Sequence, residues 1–413
     1  MERKTFQAAR VQERPLSSHR VVLIPGFLGF NKLGDFGYFA RKVGQTLANA
    51  LADADQGRRI EVDAVETVPA GSLLERQAVL LQQLNNIRVE HPGAQLHLVG
   101  HSTGGLDAEL LTRTEPAGAK VSERDREVRS AIRSVITLAS PLAGTSLAAS
   151  PLARISAIDS FGDVLRAPVS LLLLRGPRAL FGALAALLRL LGRDEAVGQV
   201  ISGFLHSGDI GVTYLLSLLL SRDLIDDLSP KAVTKLMRGT SLDRTLSPIR
   251  RRRFVTIARR DPEATAAGLL FSLLYDTTAR ETVTDDVSEQ LARSELIARR
   301  PQLRVLGRGE LPELDLKSND GIVDTCRQVL PVTIETVADE LDRIAALVIA
   351  DHIDVVGYYR GAAGSDNGFL TSGSGFGDPE FESLYAAIAE ELEASIAEAR
   401  AEDKAPAQYR KAK

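Results

Sequence analysis

Three residues of this chain have the types that nucleophilic catalysis requires: Ser102, His352 and Asp320. A serine hydroxyl is a weak nucleophile until a histidine takes its proton and a carboxylate holds that histidine's other nitrogen. Ser102 stands in Gly100-His101-Ser102-Thr103-Gly104, Asp320 precedes a glycine in Asn319-Asp320-Gly321, and His352 closes the apolar run Leu347–Ile349. Side chains of this kind, brought together, perform acyl transfer through a covalent serine ester, and they need neither a metal nor an organic cofactor.

The surroundings of Ser102 sharpen the expectation. Leu96, Leu98 and Val99 read as a short buried strand, and Leu106, Leu110 and Leu111 then resume at a spacing that suits a helix face. A strand turning sharply into a helix around G-x-S-x-G is the nucleophile elbow of the α/β-hydrolases. The alternative is a glycine-rich turn of another α/β fold, with Ser102 merely capping the helix. In the hydrolase fold the chain order is serine, acid, histidine. Six histidines are present, of which only His206 and His352 follow Ser102. His206 falls in a leucine-rich segment away from the strand ends, which leaves His352 as the base. Asp320 is the better placed acid and Asp324 the runner-up, while Asp351 and Asp354 flank the base too closely to reach its far nitrogen. His101 is expected to point away from the nucleophile. The loop after the first strand, Gly26-Phe27-Leu28-Gly29-Phe30, supplies one oxyanion amide, so the main-chain amides of Phe27 and Thr103 are the candidate oxyanion hole.

Strands alternating with helices must position these groups, which predicts a doubly wound, mostly parallel sheet with an inserted helical cap. Residues 1–19 read as a flexible arm. A first core part spans 20–148, with strands at Arg20–Pro25, Ile60–Val65 and Ile132–Leu138 and helices near Phe39–Leu51 and Ser72–Val89. In the second helix Leu73, Leu74, Leu80, Leu81, Leu84 and Ile87 are expected to face inward. Residues 149–247 carry Leu171–Leu174, Leu187, Leu188, Leu190 and Leu191 and read as all-helical, either a cap over the site or a subdomain packed for stability. The second core part, 248–360, regains a strand at Phe254–Ala258 and a surface helix at 283–299. A Gly/Ser loop and a C-terminal helix fill 361–413, the helix with Phe381, Leu384, Ile388, Leu392 and Ile396 in a stripe.

Composition narrows the partners. The 413 residues carry a net charge of -4, which gives no reason to expect nucleic acid. Arg250–Arg253 is the dense basic run and reads as a solvated approach to the following strand. Arginines and a proline break Leu171–Leu191, so no stretch reaches the roughly 20 apolar residues of a membrane span. Cys326 is the single cysteine, which excludes an intramolecular disulfide and, with an N-terminus lacking an apolar core, leads to a cytoplasmic expectation.

Four stretches resemble the bacterial triacylglycerol lipases of the Pseudomonas and Burkholderia type: VVLIPGFLGFNKLGDFGYF, LHLVGHSTGG, IRSVITLASPLAGTSLA, and SNDGIVDTC with ADHIDVVGY. The resemblance covers about half the chain. It implies a triad of Ser102, Asp320 and His352, with Phe27 and Thr103 at the oxyanion hole. The chain departs from the family at Pro25, where the family has histidine, and in lacking a partner for Cys326. The family's structural calcium is held through an acid after the histidine. Asp354 stands there without identifiable companions, and Tyr358 replaces an amide side chain, so no metal is expected. The expected activity is hydrolysis of a carboxylic or lipid ester with an apolar acyl chain, the cap making transient contact with lipid surfaces. Thioester hydrolysis, acyl transfer to another acceptor, or a catalytically silent binding module remain the alternatives.

Overall fold

Every strand pairing in the main sheet of the computed structural model is parallel. The structure describes residues 18–27, 32–33, 36–52, 60–68, 71–114, 122–150, 222–246, 248–262, 266–280, 287–329, 336–359 and 370–404. The expected arm up to residue 17, the leucine-rich stretch 151–221 with His206, and most of the Gly/Ser loop lie outside them. In chain order the strands are β1 (His19–Ile24), β2 (Glu61–Ala64), β3 (Gln95–His101), β4 (Ile132–Leu138), β5 (Arg250–Ile257), β6 (Val305–Leu306) and β7 (Ile344–Ile349). In space they run β2-β1-β3-β4-β5-β7-β6. The chain steps outward from β1 to β2 and then crosses back to lay β3 on the other side of β1. That reversal opens a crevice beyond the carboxyl ends of β1 and β3, where doubly wound sheets hold their ligands. The loops leaving these two strands carry Phe27 and Ser102.

The central strands are covered on both faces, so they read as continuous apolar runs rather than alternating ones. β1 and β3 are buried along their whole length. Helix α1 (Arg41–Ala50) follows β1, and α2 (Leu73–Glu90) precedes β3. A reciprocal capping box starts α2: the Ser72 hydroxyl accepts from the Glu75 amide, and the Glu75 carboxylate accepts from the Ser72 amide. Its inward face corrects the sequence expectation. Leu74 is 78% exposed, whereas Arg76 is fully buried beside Leu73, Leu80 and Leu84. Arg76 takes the inward position because Asp107 waits there with an opposite charge.

β5 also differs from expectation. It begins at Arg250, so the arginine run forms the strand's first half instead of a solvated approach. Carboxylates distant in sequence draw it in: Arg250 and Arg252 meet Glu391, Arg251 meets Glu109, and Arg253 meets Glu340. Two further helices, Ala266–Arg280 and Val287–Arg299, follow β5, the first of them not anticipated. The last helix, Asp378–Lys404, buries Phe381, Leu384, Ile388, Leu392 and Ile396 against the core as its stripe required. Arg222–Asp227 and Pro230–Arg238 are helical within the described end of the leucine-rich region.

Candidate active site

β3 ends at His101, and the chain reverses through Ser102 at φ 54°, ψ -132° into helix α3 (Thr103–Leu110). A positive φ is uncommon outside glycine and costs on the order of 1–3 kcal/mol, so the fold must hold it in place. Two close approaches do so. A Cβ on Gly100 would overlap the main chain of Gly104, and one on Gly104 would overlap the carbonyls of Ile24 and Pro25. The Ser102 amide donates to Leu138 O on β4 at 2.9 Å, and its carbonyl accepts from the Gly105 amide at 3.0 Å.

The other wall of the crevice is the turn after β1. A Cβ placed on Gly26 would stand 2.8 Å from Cβ of Ser102, so the two main chains nearly touch. Phe27 follows, buried at 2% exposure. The Thr103 amide is the first of α3 and has no partner inside the helix, a donor that attracts negative charge. The fully buried Arg76 locks this wall to the elbow helix, donating to Pro25 O at 3.0 Å and to Asp107 of α3 at 2.6 Å.

Ser102, His352 and Asp320 meet in one hydrogen-bonded row. His352 Nε2 lies 2.9 Å from Ser102 Oγ, and its Nδ1 lies 2.9 Å from Asp320 Oδ2. A carboxylate only accepts, so Nδ1 carries the proton and Nε2 is free to accept the Ser102 hydroxyl. The His352 and Asp320 side chains are fully buried. Five donors surround the Asp320 carboxylate: the Ile322 and Val323 amides at 3.0 and 2.8 Å on Oδ1, and Thr256 Oγ1 at 2.5 Å, Gln328 Nε2 at 3.5 Å and His352 on Oδ2. Gln328 holds the main chain of Thr256 from both sides, accepting from its amide at 2.7 Å and donating to its carbonyl at 3.0 Å. The His352 amide donates to Asp320 O at 3.0 Å, tying the two loops together.

The runner-up acid is engaged elsewhere. Asp324 accepts the Ser146 amide at 2.8 Å and stands 3.7 Å from Arg327. Asp354 accepts the Asp351 amide at 2.9 Å, and Asp351 accepts the Ser372 amide at 3.1 Å. Burial pushes Asp351 up to about 7 and raises Asp354 well above the carboxylate range. Among the described residues no group of three or more acids, histidines or cysteines is arranged to hold a metal ion. Asp354 thus braces the turn that carries His352 through its bond to the Asp351 amide.

Thr256, Gln328 and Arg76 escaped the sequence reading. Thr256 left one signal, a hydroxyl within the apolar run Phe254–Ala258 near a strand's carboxyl end. Gln328 and Arg76 left none, because their partners are distant in sequence. His101, beside the nucleophile, has its ring 4.8 Å, centroid to centroid, from that of His352.

A parallel doubly wound sheet with this elbow at its switch point is an α/β-hydrolase fold. The chain is similar to lipase 1 from Pelosinus fermentans (19% identity over 92% of this chain and 99% of that one, TM-score 0.46). It is also similar to EstA from Clostridium botulinum (15%, 95% and 92%, TM-score 0.44) and to the Bacillus licheniformis lipase BlEst2 (12%, 84% and 89%, TM-score 0.40). Likenesses at this level bear on neither substrate nor mechanism. No family model and no curated protein matches the chain.

Proposed function

We propose that the protein is a serine hydrolase of carboxylic esters, with Ser102 as nucleophile, His352 as general base and acid, and Asp320 as the group that orients the imidazole. The observation that carries the reading is the buried Ser102–His352–Asp320 row at the carboxyl end of the sheet. His352 Nε2 takes the hydroxyl proton as Ser102 Oγ attacks the ester carbonyl. The imidazolium that forms is held by Asp320, whose charge the Ile322 and Val323 amides, Thr256 and Gln328 fix in place. The oxyanion of the tetrahedral intermediate meets the amides of Phe27 and Thr103. His352 then protonates the leaving alcohol, and water repeats the sequence to free the acid.

The acyl group is apolar in this proposal, and residues 149–247 cover it as a cap, on the strength of their leucine content. The Pseudomonas and Burkholderia lipase motifs support the same assignment. A cytoplasmic setting rests on the lone Cys326, a buried thiol that burial pushes up to about 12. No helix among the described residues is long and apolar enough to cross a membrane. The test is hydrolysis of p-nitrophenyl esters of rising chain length, together with labelling by a fluorophosphonate. Turnover that favours longer acyl chains and a label mapped to Ser102 support the reading; an inert protein, or a label elsewhere, removes it.

A further inference from the structure

His101 and Tyr38 form a second row beside the first. His101 Nε2 lies 2.8 Å from the main-chain carbonyl of His352, and its Nδ1 lies 2.7 Å from the Tyr38 hydroxyl. A carbonyl accepts only, so Nε2 carries the proton and Nδ1 accepts from Tyr38. The phenolic oxygen in turn packs against Gly26, so closely that a Cβ there would overlap it. Proton donation therefore runs one way, from Tyr38 through His101 to the carbonyl of His352. A chain aligned in this sense strengthens each of its members. It spans the crevice: Gly26 precedes the oxyanion candidate Phe27, and His352 is the candidate base.

We infer that His101 and Tyr38 are positioning residues that hold the oxyanion turn and the histidine loop at a fixed separation. The inference rests on the esterase reading of Ser102. The Tyr38 segment is joined to the histidine loop independently, by the Ala40 amide on Val356 O at 3.0 Å and the Tyr358 hydroxyl on Gly37 O. Both His101 and Tyr38 are buried, so the row excludes water from the back of the site. Burial and the neighbouring His352 hold His101 well below the ordinary histidine range. It therefore stays neutral while an imidazolium forms on His352, and it adds no second cation. A loosened row lets the oxyanion amide and the base drift apart, and misplacement of that size lowers the chemical step more than substrate binding.

The experiment compares Tyr38→Phe, His101→Gln, His101→Leu and the Tyr38→Phe/His101→Leu double variant. Each is assayed with one p-nitrophenyl ester for kcat and KM per fluorophosphonate-titrated site, and by thermal melting. Tyr38→Phe is expected to lower kcat about tenfold with KM within about twofold. His101→Leu does the same or more, and His101→Gln recovers part of the loss, because its amide can still donate to the His352 carbonyl. The double variant should lose no more than the worse single one, since both changes cut the same row. Unchanged kcat per titrated site in Tyr38→Phe and His101→Leu, or losses that multiply in the double variant, overturn the inference while the esterase reading stands. Wild-type protein inert to both ester and probe removes the two together.

Discussion

Two serine–histidine contacts of the same length sit at opposite ends of this sheet. Ser134 Oγ is 2.9 Å from His97 Nδ1 near the amino end of β4, and Ser102 Oγ is 2.9 Å from His352 Nε2 beyond the carboxyl end of β3. All four residues are buried. Behind His97 stands another histidine, His19, at 3.0 Å, whereas behind His352 stands a carboxylate. Ser134 lies inside strand β4, just after a shift in its register with β3, while Ser102 has positive φ and faces a helix N-terminus. Contact distance alone therefore does not mark a nucleophile. The charge behind the imidazole, the donors around the hydroxyl and the place in the sheet separate the two.

Exchanging the serines breaks the comparison most severely. Ser102→Ala should lower kcat on the order of ten-thousandfold or more and abolish fluorophosphonate labelling. Ser134→Ala should leave kcat within about twofold and lower the melting temperature by a few degrees, as a lost buried hydrogen bond does. Equal activity in the two variants would falsify the distinction. Next comes Asp320→Asn, which keeps the shape but offers Nδ1 a donor or a neutral acceptor. A fall in kcat of roughly a thousand- to ten-thousandfold is expected, and phosphonylation of Ser102 should slow in parallel. Thr256→Val is milder: Asp320 retains its remaining donors, so a loss of about tenfold or less in kcat is expected, with KM unchanged. A Thr256→Val variant as damaged as Asp320→Asn would place the essential contact in Thr256 instead.

The comparison also shows what the sequence makes visible. Ser102 is legible because the elbow constrains a contiguous stretch: an apolar strand, two glycines packed against backbone, and a helix. The C-terminal helix is equally legible, since Phe381 to Ile396 repeat at helical spacing and all are buried. Asp320 emerges from chain order and a turn signal, and its donor Thr256 does not, because that residue lies on β5, 64 positions earlier in the chain. The arginine run of β5 conceals a strand, since its burial depends on Glu109, Glu340 and Glu391, far along the chain. Arg76 displaces Leu74 from the expected face of α2 for the same reason. Periodicity reports hydrophobic burial, while burial of charge depends on the partner that the fold supplies.

The smallest predicted effect concerns the amino-end pair and its response to acid. Burial, with His19 and Arg133 nearby, holds His97 well below the ordinary histidine value of 6.5. Above that value the imidazole is neutral in both folded and unfolded chains, and its hydrogen bonds contribute in full. Below it the unfolded chain takes up a proton that the buried ring refuses, so this contribution falls as pH falls. His101 adds a slope of the same sign, while the raised Asp351 and Asp354 add slopes of the opposite sign, because the folded chain keeps their protons. Wild-type melting alone thus mixes opposing terms, and the difference from His97→Gln isolates one of them. The variant should melt lower than wild type at about pH 7.5, and the gap should narrow towards about pH 5.5 as wild type alone bears the cost of the refused proton. A gap constant across that range would mean that His97 accepts the proton in place, and kcat should be indifferent to the substitution at either pH.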